Sequence, residues 1–225
     1  AAEVDTVEAL VKAVSEGQPG DTVRLAPGTY EISAPLRPKA RMTIKGAGAG
    51  RTTIAAAPSW KPGTDGLPGS DTKPEGNNPD AYLVNLGDKT KGVTLSHMML
   101  TGPNLHGAVF GVNCDGLTLA HLRIVDFQWS GVRTFFMNDA RVHDNTFVDA
   151  GGKHKHNGGA LFLTWCTDSE FWNNRISKTP DHHSNFYGFK GRGGKRLRFH
   201  HNTVEVGFSL EYPFEKTLKE AILQM

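Results

Sequence analysis

The hydrophobic pattern of the chain is dominated by an eight-residue segment that recurs five times, with apolar residues at its third and eighth positions. The copies are VTLSHMML, LTLAHLRI, ARVHDNTF, SEFWNNRI and LRFHHNTV, which begin at Val93, Leu117, Ala140, Ser169 and Leu197. Their starts lie 24, 23, 29 and 28 residues apart. Repeats of this length, with short strands and no helical periodicity, indicate a solenoid of stacked parallel strands.

A polar ladder accompanies this repeat, whose sixth position is asparagine in three successive copies: Asn145, Asn174 and Asn202. Asparagine tolerates the left-handed backbone of a sharp corner, and its amide can hydrogen-bond to the same residue in the next coil. We therefore expect these asparagines to be structural corner residues. The same role is expected for the histidines one position before this column, which are His97, His121 and His201.

A second strand precedes each copy of the repeat: GAVFGV, GVRTFF, GALFLT, GFKGRG and GFSLEY. Alternate residues of a strand face opposite sides of its sheet. Alignment of these strands predicts an inward column of Val109, Val132, Leu161, Phe189 and Phe208. The side chains of two outward columns are expected to be exposed; these columns are Phe110, Arg133, Phe162, Lys190 and Ser209, and then Val112, Phe135, Thr164, Arg192 and Glu211.

Three segments outside the repeats complete the predicted architecture. Asp5, with a glutamate three positions on, has the pattern of an N-cap and predicts a helix over 5–17 that covers the first coil. The proline-rich segment 56–81 lacks periodicity and predicts a long loop. The apolar spacing in 216–225 predicts a short C-terminal helix, and the whole chain, 1–225, is expected to form one domain.

Composition narrows the classes of function. The net charge of +2 gives no whole-molecule reason to expect nucleic-acid binding. No apolar run approaches the ~20 residues that span a bilayer, so no membrane association is expected. The chain begins Ala1-Ala2-Glu3, as a mature protein does after removal of a signal peptide, and we expect a secreted or periplasmic protein.

The two cysteines are expected to be unpaired. Cys114 and Cys166 each lie three residues before a repeat, and Met137 has the same position in the coil between them. Two coils at ~4.8 Å each separate the cysteines by ~10 Å. This separation exceeds the ~7 Å between Cα atoms that a disulfide can bridge.

Several segments resemble one family of proteins. GDTVRLAPGTYEI from Gly20, MTIKGAGAGRTTI from Met42 and the repeat ends DNTF, NNRI and HNTV resemble the pectate-lyase-like family, over most of the chain. The resemblance implies an all-β fold, a right-handed parallel β-helix with an N-terminal capping helix and a short C-terminal helix. It also implies an acidic polysaccharide as partner, for an activity that in this family is that of a lyase, hydrolase, epimerase or esterase.

Aromatic rings beside cations on the second strand suit a sugar-binding face, because rings stack on sugar CH groups while arginine pairs with carboxylates. Two loops rich in histidine, around 151–159 and 179–187, are expected to reach the same sheet. The candidate catalytic residues are Lys190, Arg192, Tyr187, His182 and His183. The candidate substrate-binding residues are Arg133, Phe135, Phe162, His154, His156 and Glu211.

Among reactions on acidic polysaccharides, the residues favour β-elimination by a lyase. This reaction needs a cation to neutralise the uronate carboxylate and a base to take its C5 proton, whereas a hydrolase needs two flanking carboxyl groups. A hydrolase, a uronate C5-epimerase and a non-catalytic glycan-binding or structural solenoid remain alternatives. No cofactor and no metal ligands are predicted, although calcium would be compatible with the lyase, and a dimer through the C-terminal end is one alternative for the last coil.

Overall fold

The computed structural model describes residues 3–62, 78–152, 158–182, 186–211 and 222–224. For Phe186, 208–211 and 222–224 it describes the backbone alone. In these ranges the chain forms a parallel β-solenoid of about seven turns with one α-helix. The helices are α1 (Val7–Glu16) and a 3-10 helix at Pro79–Ala81.

The strands of the first coils are β1 (Glu3–Val4), β2 (Thr22–Leu25), β3 (Gly28–Ile32), β4 (Thr43–Lys45), β5 (Thr52–Ala56), β6 (Tyr82–Asp88), β7 (Thr94–Ser96), β8 (Met99–Thr101), β9 (Gly107–Val112), β10 (Thr118–Ala120) and β11 (Arg123–Phe127). The strands of the later coils are β12 (Ser130–Phe135), β13 (Arg141–His143), β14 (Thr146–Ala150), β15 (Gly158–Thr167), β16 (Glu170–Trp172), β17 (Arg175–Ser177), β18 (Phe186–Lys195), β19 (Arg198–His200), β20 (Thr203–Val204), β21 (Gly207–Glu211) and β22 (Ile222–Gln224).

These strands form three parallel sheets, each receiving one strand from every coil of the central region. Sheet 1 has the order β1-β2-β4-β7-β10-β13-β16-β19-β22, sheet 2 the order β20-β17-β14-β11-β8-β5-β3, and sheet 3 the order β21-β18-β15-β12-β9-β6. The chain runs through sheets 1, 2 and 3 in turn, so each repeat is one coil. The core lies between the sheets and is apolar along the described solenoid.

The predicted registers are confirmed. In sheet 3, Val109 pairs with Val132 and Leu161 pairs with Phe189, and both outward columns align as the sequence predicted. In sheet 1 the third residues of the repeat, from Leu95 to Phe199, stack in register inside the core. Identical positions of successive coils therefore lie one strand spacing apart.

The corner between sheets 1 and 2 is two residues long in each of the five aligned coils. Its first residue has a left-handed backbone, with φ between 52° and 57°, and these residues are His97, His121, Asp144, Asn173 and His201. The asparagine ladder follows at the second position, so the expectation that Asn145 itself adopts the left-handed conformation is wrong. The preceding residue turns the chain, which leaves the amide of Asn145 pointing inward to bond with Asn174 at 3.0 Å.

Between β6 and β19, differences in coil length arise at a single corner. From sheet 3 to sheet 1 the aligned step is six residues in each of these coils, as from Val112 to Thr118 or from Arg192 to Arg198. The next step, from Glu211 to Ile222, is eleven residues. From sheet 2 to sheet 3 the step varies, being five residues from Val125 to Ser130. It rises to eleven in the next coil, which includes residues 153–157 outside the described ranges.

Both terminal predictions need correction. The N-cap is Thr6, not Asp5, because the Thr6 hydroxyl accepts the amide hydrogen of Ala9 at 3.1 Å, and α1 packs Leu10 and Val14 into the core beside β2 and β3. At the other end, residues 222–224 form β22 and pair with β19, so a helix over 216–225 is wrong for this part. Hydrogen bonds to an open sheet edge outweigh a weak helical pattern there.

The cysteines are free and buried, as expected. Burial raises the pKa of the Cys114 thiol to about 11. Burial also raises the pKa of Cys166. Both side chains are therefore protonated at neutral pH and serve as small apolar core residues.

Candidate functional site

The outer face of sheet 3 carries a stack of cations and aromatic rings. The guanidinium of Arg133 lies between two rings, 3.9 Å from the centroid of Phe135 and 3.7 Å from that of Phe162. The same group donates a hydrogen bond from Nη1 to the hydroxyl of Thr164 at 2.8 Å. Strand pairing produces this arrangement, because β12 and β15 place these residues in two adjacent outward columns.

Two further cations converge on the same ring. The ammonium of Lys190 lies 4.9 Å from the centroid of Phe162 and 5.7 Å from that of Tyr187. The guanidinium of Arg192 lies 5.4 Å from the Phe162 centroid. Cations are attracted to the negative face of an aromatic ring. Phe162 is therefore the centre of the candidate site, which we call the Phe162 cluster: Arg133, Phe135, Phe162, Tyr187, Lys190 and Arg192.

The expectation that both outward columns are exposed is wrong for part of this cluster. Arg133, Phe162 and Lys190 are each only 2% exposed, and Phe110 is 5% exposed. Stacking in register explains the difference, since Arg133 lies between the rings of Phe110 and Phe162, and Phe162 in turn lies between Arg133 and Lys190. Arg192 is exposed, and Phe135 and Tyr187 are partly exposed. These three side chains form the accessible part of the cluster.

Buried polar groups that the sequence analysis missed lie where β6, β9 and β12 of sheet 3 begin. Tyr82, His106 and Ser130 are fully buried, and the ring of Tyr82 lies 5.2 Å from that of Phe110. Burial raises the pKa of the Tyr82 phenol, and the nearby charge of Arg133 opposes that shift. The sequence contained a signal for Tyr82, because matching Val84 to Val109 aligns β6 with β9 and places Tyr82 opposite Gly107 in sheet 3.

Two exposed aromatic side chains were also missed. Phe136 is 50% exposed and Trp165 is 47% exposed, and they directly follow the aligned residues Phe135 and Thr164. Both have a left-handed backbone, with φ of 52° and 54°. Large apolar side chains seldom adopt this conformation, so the two residues lie at a strained corner that follows the outward column of Arg192.

The predicted histidines do not all fall in the described ranges. His182 packs against the end of β14, with Nδ1 3.4 Å from Asp149 Oδ1 and Nε2 2.5 Å from the carbonyl oxygen of Gly151. Asp149 also accepts two hydrogen bonds from Thr179, which fixes this loop on sheet 2. The other three predicted histidines, His154, His156 and His183, lie outside the described residues.

Carboxyl groups are sparse on sheet 3. Among the strands described for this sheet, only β6 and β21 contain acidic residues, namely Asp88 and Glu211. These strands are the two edges of the sheet, five strand spacings or ~24 Å apart. Paired catalytic carboxyl groups of glycosidases lie within ~10 Å of each other. The described sheet thus offers cations, aromatic rings and a phenol, but no carboxyl pair.

Comparisons with known proteins support the fold. No protein-family model and no curated protein matches the sequence. The catalytic domain of a GH87 α-1,3-glucanase aligns over 89% of this chain and 38% of its own, with 13% identity and a TM-score of 0.57. An alginate lyase from Paenibacillus sp. str. FPU-7 aligns over 93% of this chain and 97% of its own, with 10% identity and a TM-score of 0.52.

A third solved structure, the pectin methylesterase PemA from Erwinia chrysanthemi, aligns over 93% of this chain and 80% of its own, with 14% identity and a TM-score of 0.52. The chain thus shares a β-helix fold with proteins that act on carbohydrates. The resemblance seen in the sequence is supported at the level of fold. Among the described residues, no helix is long and apolar enough to cross a membrane.

Proposed function

We propose that the protein is a polysaccharide lyase that cleaves a uronate-containing polymer by β-elimination at the Phe162 cluster. The observation that carries the proposal is the convergence of Arg133, Lys190 and Arg192 on one aromatic ring. Three cations close together create a positive field on a face that otherwise offers rings for stacking. A polymer that alternates sugar CH faces with carboxylates is complementary to such a surface.

The accessible cation, Arg192, is proposed to pair with the uronate carboxylate. Neutralising that charge makes the C5 proton more acidic, since the negative charge that develops on removal of the proton is stabilised. The base takes the C5 proton, the electrons of the C–H bond form a double bond between C4 and C5, and the bond from C4 to the linking oxygen breaks. The departing oxygen receives a proton from a general acid.

Lys190 and Tyr187 are the proposed base and acid, in either order. The ammonium of Lys190 lies 5.7 Å from the Tyr187 ring, so both groups face the same part of the cluster. His182 is a weaker candidate, because both of its ring nitrogens face protein oxygens of Asp149 and Gly151. Arg133 is only 2% exposed and bonded to Thr164, so it supports the two phenylalanines and contributes charge without reaching the polymer.

The exposed rings of Phe136 and Trp165 extend the proposed binding face by one column. They follow the outward column that contains Arg192, and their exposure is what a surface that stacks on sugars requires. Polymer binding across sheet 3 would bring successive sugars past these rings. We also propose that the protein is secreted or periplasmic, because polysaccharides of this class are extracellular.

A non-catalytic glycan-binding solenoid is the second candidate. The burial of Lys190 favours it, because a base that is only 2% exposed reaches substrate only after local opening. A hydrolase is disfavoured by the distance between Asp88 and Glu211, which lie on opposite edges of sheet 3. An epimerase would use the same proton abstraction without loss of the 4-linked oxygen.

The test is incubation with alginate, pectate and glycosaminoglycans. New ultraviolet absorbance from the unsaturated uronate product is expected with one of these polymers. Lys190→Met keeps the bulk of the buried side chain and should lower the rate ~10²–10⁴-fold. Lys195→Met, at the exposed end of the same strand, is the matched control and should retain the wild-type rate. Reducing ends without absorbance would identify a hydrolase, and binding alone would identify a glycan-binding protein.

A further inference from the structure

A cluster of metal-ligating side chains lies at the end of sheet 1, on a different face of the solenoid from the Phe162 cluster. It consists of His121, His143 and Asp144, whose ligand atoms all lie within 4.8 Å of one another. The cluster belongs to two successive coils. His121 follows β10, and His143 and Asp144 come from the end of β13 and the corner after it.

Strand register creates this cluster. β10 and β13 pair in parallel with Ala120 opposite His143, so His121 lies directly opposite Asp144 in the corner column. Both corner residues have a left-handed backbone, with φ of 54° and 55°. The backbone amides of His121 and Asp144 are bonded to the next coil, at 3.3 Å to His143 O and 3.2 Å to Trp172 O. The ligand positions are therefore fixed by the solenoid and not by a loose loop.

The side chains are held in place by neighbours. The ring of His143 stacks on that of Trp172, with centroids 4.2 Å apart and planes at 11°. Its Nδ1 lies 2.7 Å from Asp144 Oδ2, while Asp144 Oδ1 accepts a hydrogen bond from Asn173 at 3.3 Å. Contacts of this kind orient metal ligands and raise affinity. His143 and Asp144 are 21% and 35% exposed, and His121 is exposed, so an ion can enter from solvent.

A further imidazole flanks the cluster. The ring of His97 lies 4.6 Å from that of His121, in the same corner column one coil earlier. Its buried Nδ1 has no hydrogen-bond partner in the described structure. A buried nitrogen of this kind costs free energy unless something binds it. His97 thus extends the run of nitrogen donors along the corner.

We propose that His121, His143 and Asp144 bind a divalent transition-metal ion of the zinc class. Two imidazoles and one carboxylate suit Zn²⁺, Co²⁺ or Ni²⁺, whereas Ca²⁺ prefers oxygen ligands alone. Donor atoms of a tetrahedral zinc ion lie ~3.3 Å apart, so small side-chain rotations from the observed positions complete the site. Three protein ligands leave one coordination position for water or for a group on another molecule.

The test is titration of the protein with Co²⁺ and Zn²⁺. We expect about one Co²⁺ per chain, with visible absorption of a tetrahedral complex that Zn²⁺ displaces, and affinity in the micromolar range or tighter. His121→Asn, His143→Phe and Asp144→Asn should each weaken Zn²⁺ binding by at least ~10-fold in calorimetry. Asparagine tolerates the left-handed corner, and phenylalanine keeps the stacking on Trp172, so these variants should fold.

His201→Asn is the matched control, because His201 has the same φ of 54° at the same corner position three coils later. It should bind Zn²⁺ like the wild type. The proposal is overturned if the wild type shows no binding tighter than millimolar, or if the three ligand variants bind as well as the wild type. Loss of binding in His201→Asn alone would also overturn it, because the ion would then lie between His200 and His201, whose Nδ1 atoms are 2.8 Å apart.

Discussion

The side-chain amide of Asn145 donates a hydrogen bond to the side-chain oxygen of Asn174, one coil further along the solenoid, at 3.0 Å. The same oxygen accepts the backbone N–H of Asn145 at 3.2 Å, and the amide of Asn174 donates to Val142 O at 2.9 Å and to Asn202 at 3.0 Å. The ladder thus satisfies backbone and side-chain groups that the corner buries.

Removal of the central asparagine should destabilise the protein strongly. Asn174→Ala leaves buried groups of two coils unsatisfied, and we expect the free energy of unfolding to fall by about 3 kcal/mol. Thr203→Ala, at an exposed position of the neighbouring strand, should change it by less than about 0.5 kcal/mol. Urea unfolding followed by circular dichroism measures both. Equal losses in the two variants would contradict a structural role for the ladder.

The hydrogen bond between Arg133 and Thr164 should show strong energetic coupling. Both residues are buried, and the bond involves a charged donor, so Arg133→Met and Thr164→Val should not be additive. A double-mutant cycle is expected to give a coupling energy of about 1.5–3 kcal/mol. Arg192→Met with Thr164→Val provides the comparison, because Arg192 is exposed. A coupling near zero in the first cycle would mean that the bond to Thr164 does not stabilise the position of the guanidinium.

A side chain at Gly193 should displace Trp165. A Cβ there would lie 2.5 Å from the Trp165 ring, and the φ of Gly193 is +69°. Gly20 has a φ of +95° with no atom within 4 Å of an added Cβ, so Gly20→Ala measures the backbone strain alone, at about 1 kcal/mol. Gly193→Ala should lose more stability than this and also weaken polymer binding, which calorimetry measures. Similar losses for the two variants would show that Trp165 moves aside without cost.

The ion pair of Asp168 and Arg196 should make stability depend on pH in the acid range. Hydrogen bonding from Arg196, at 2.5 Å and 2.6 Å, lowers the pKa of Asp168. A folded-state pKa below the unfolded value near 3.9 means that this contribution is present above about pH 4 and lost as pH falls through the folded pKa.

Arg196→Gln should remove that contribution. Its difference from the wild type in the free energy of unfolding should be largest near neutral pH and shrink towards about pH 2.5. Urea titrations at several pH values provide the measurement. A difference that grows with acidity would reverse the sign assigned to the pair.

Register was predictable from sequence, because the eight-residue segment with apolar third and eighth residues recurs in each coil and leaves one alignment of the strands, even though the spacing of the copies varies from 23 to 29 residues. Exposure was not predictable, since alternation gives the direction of the Lys190 side chain but not its burial beside Phe162, one coil earlier in the same column, and Tyr187 on the same strand. The asparagines were identified correctly as a ladder, yet the turn belongs to the residue before each. Asparagine occurs both at left-handed turn positions, as at Asn173, and in the hydrogen-bonded ladder, as at Asn174, and only the backbone conformation distinguishes the two roles.

The terminal errors have a common cause. A spacing of three or four residues at Leu218, Ile222 and Met225 fits a helix, but residues 222–224 meet an open edge of sheet 1 and extend it. At the other end, Asp5 and Thr6 are both good N-caps, and local pattern does not separate adjacent candidates. The missed aromatic pair, Phe136 and Trp165, lies at a corner, where strand alternation no longer gives the direction of a side chain.

In the coils between β6 and β19, two of the three corners keep one length, and the third, between sheets 2 and 3, varies in length. Insertions and deletions at that corner change no pairing in the stack, because each coil returns to the same register at its next strand. Evolution can therefore lengthen, shorten or exchange the loops beside sheet 3 while the framework is inherited unchanged. A new substrate specificity would then arise from a different loop at this one corner. The shortest connection there, from Val125 to Ser130, is the position at which a longer loop is most simply inserted.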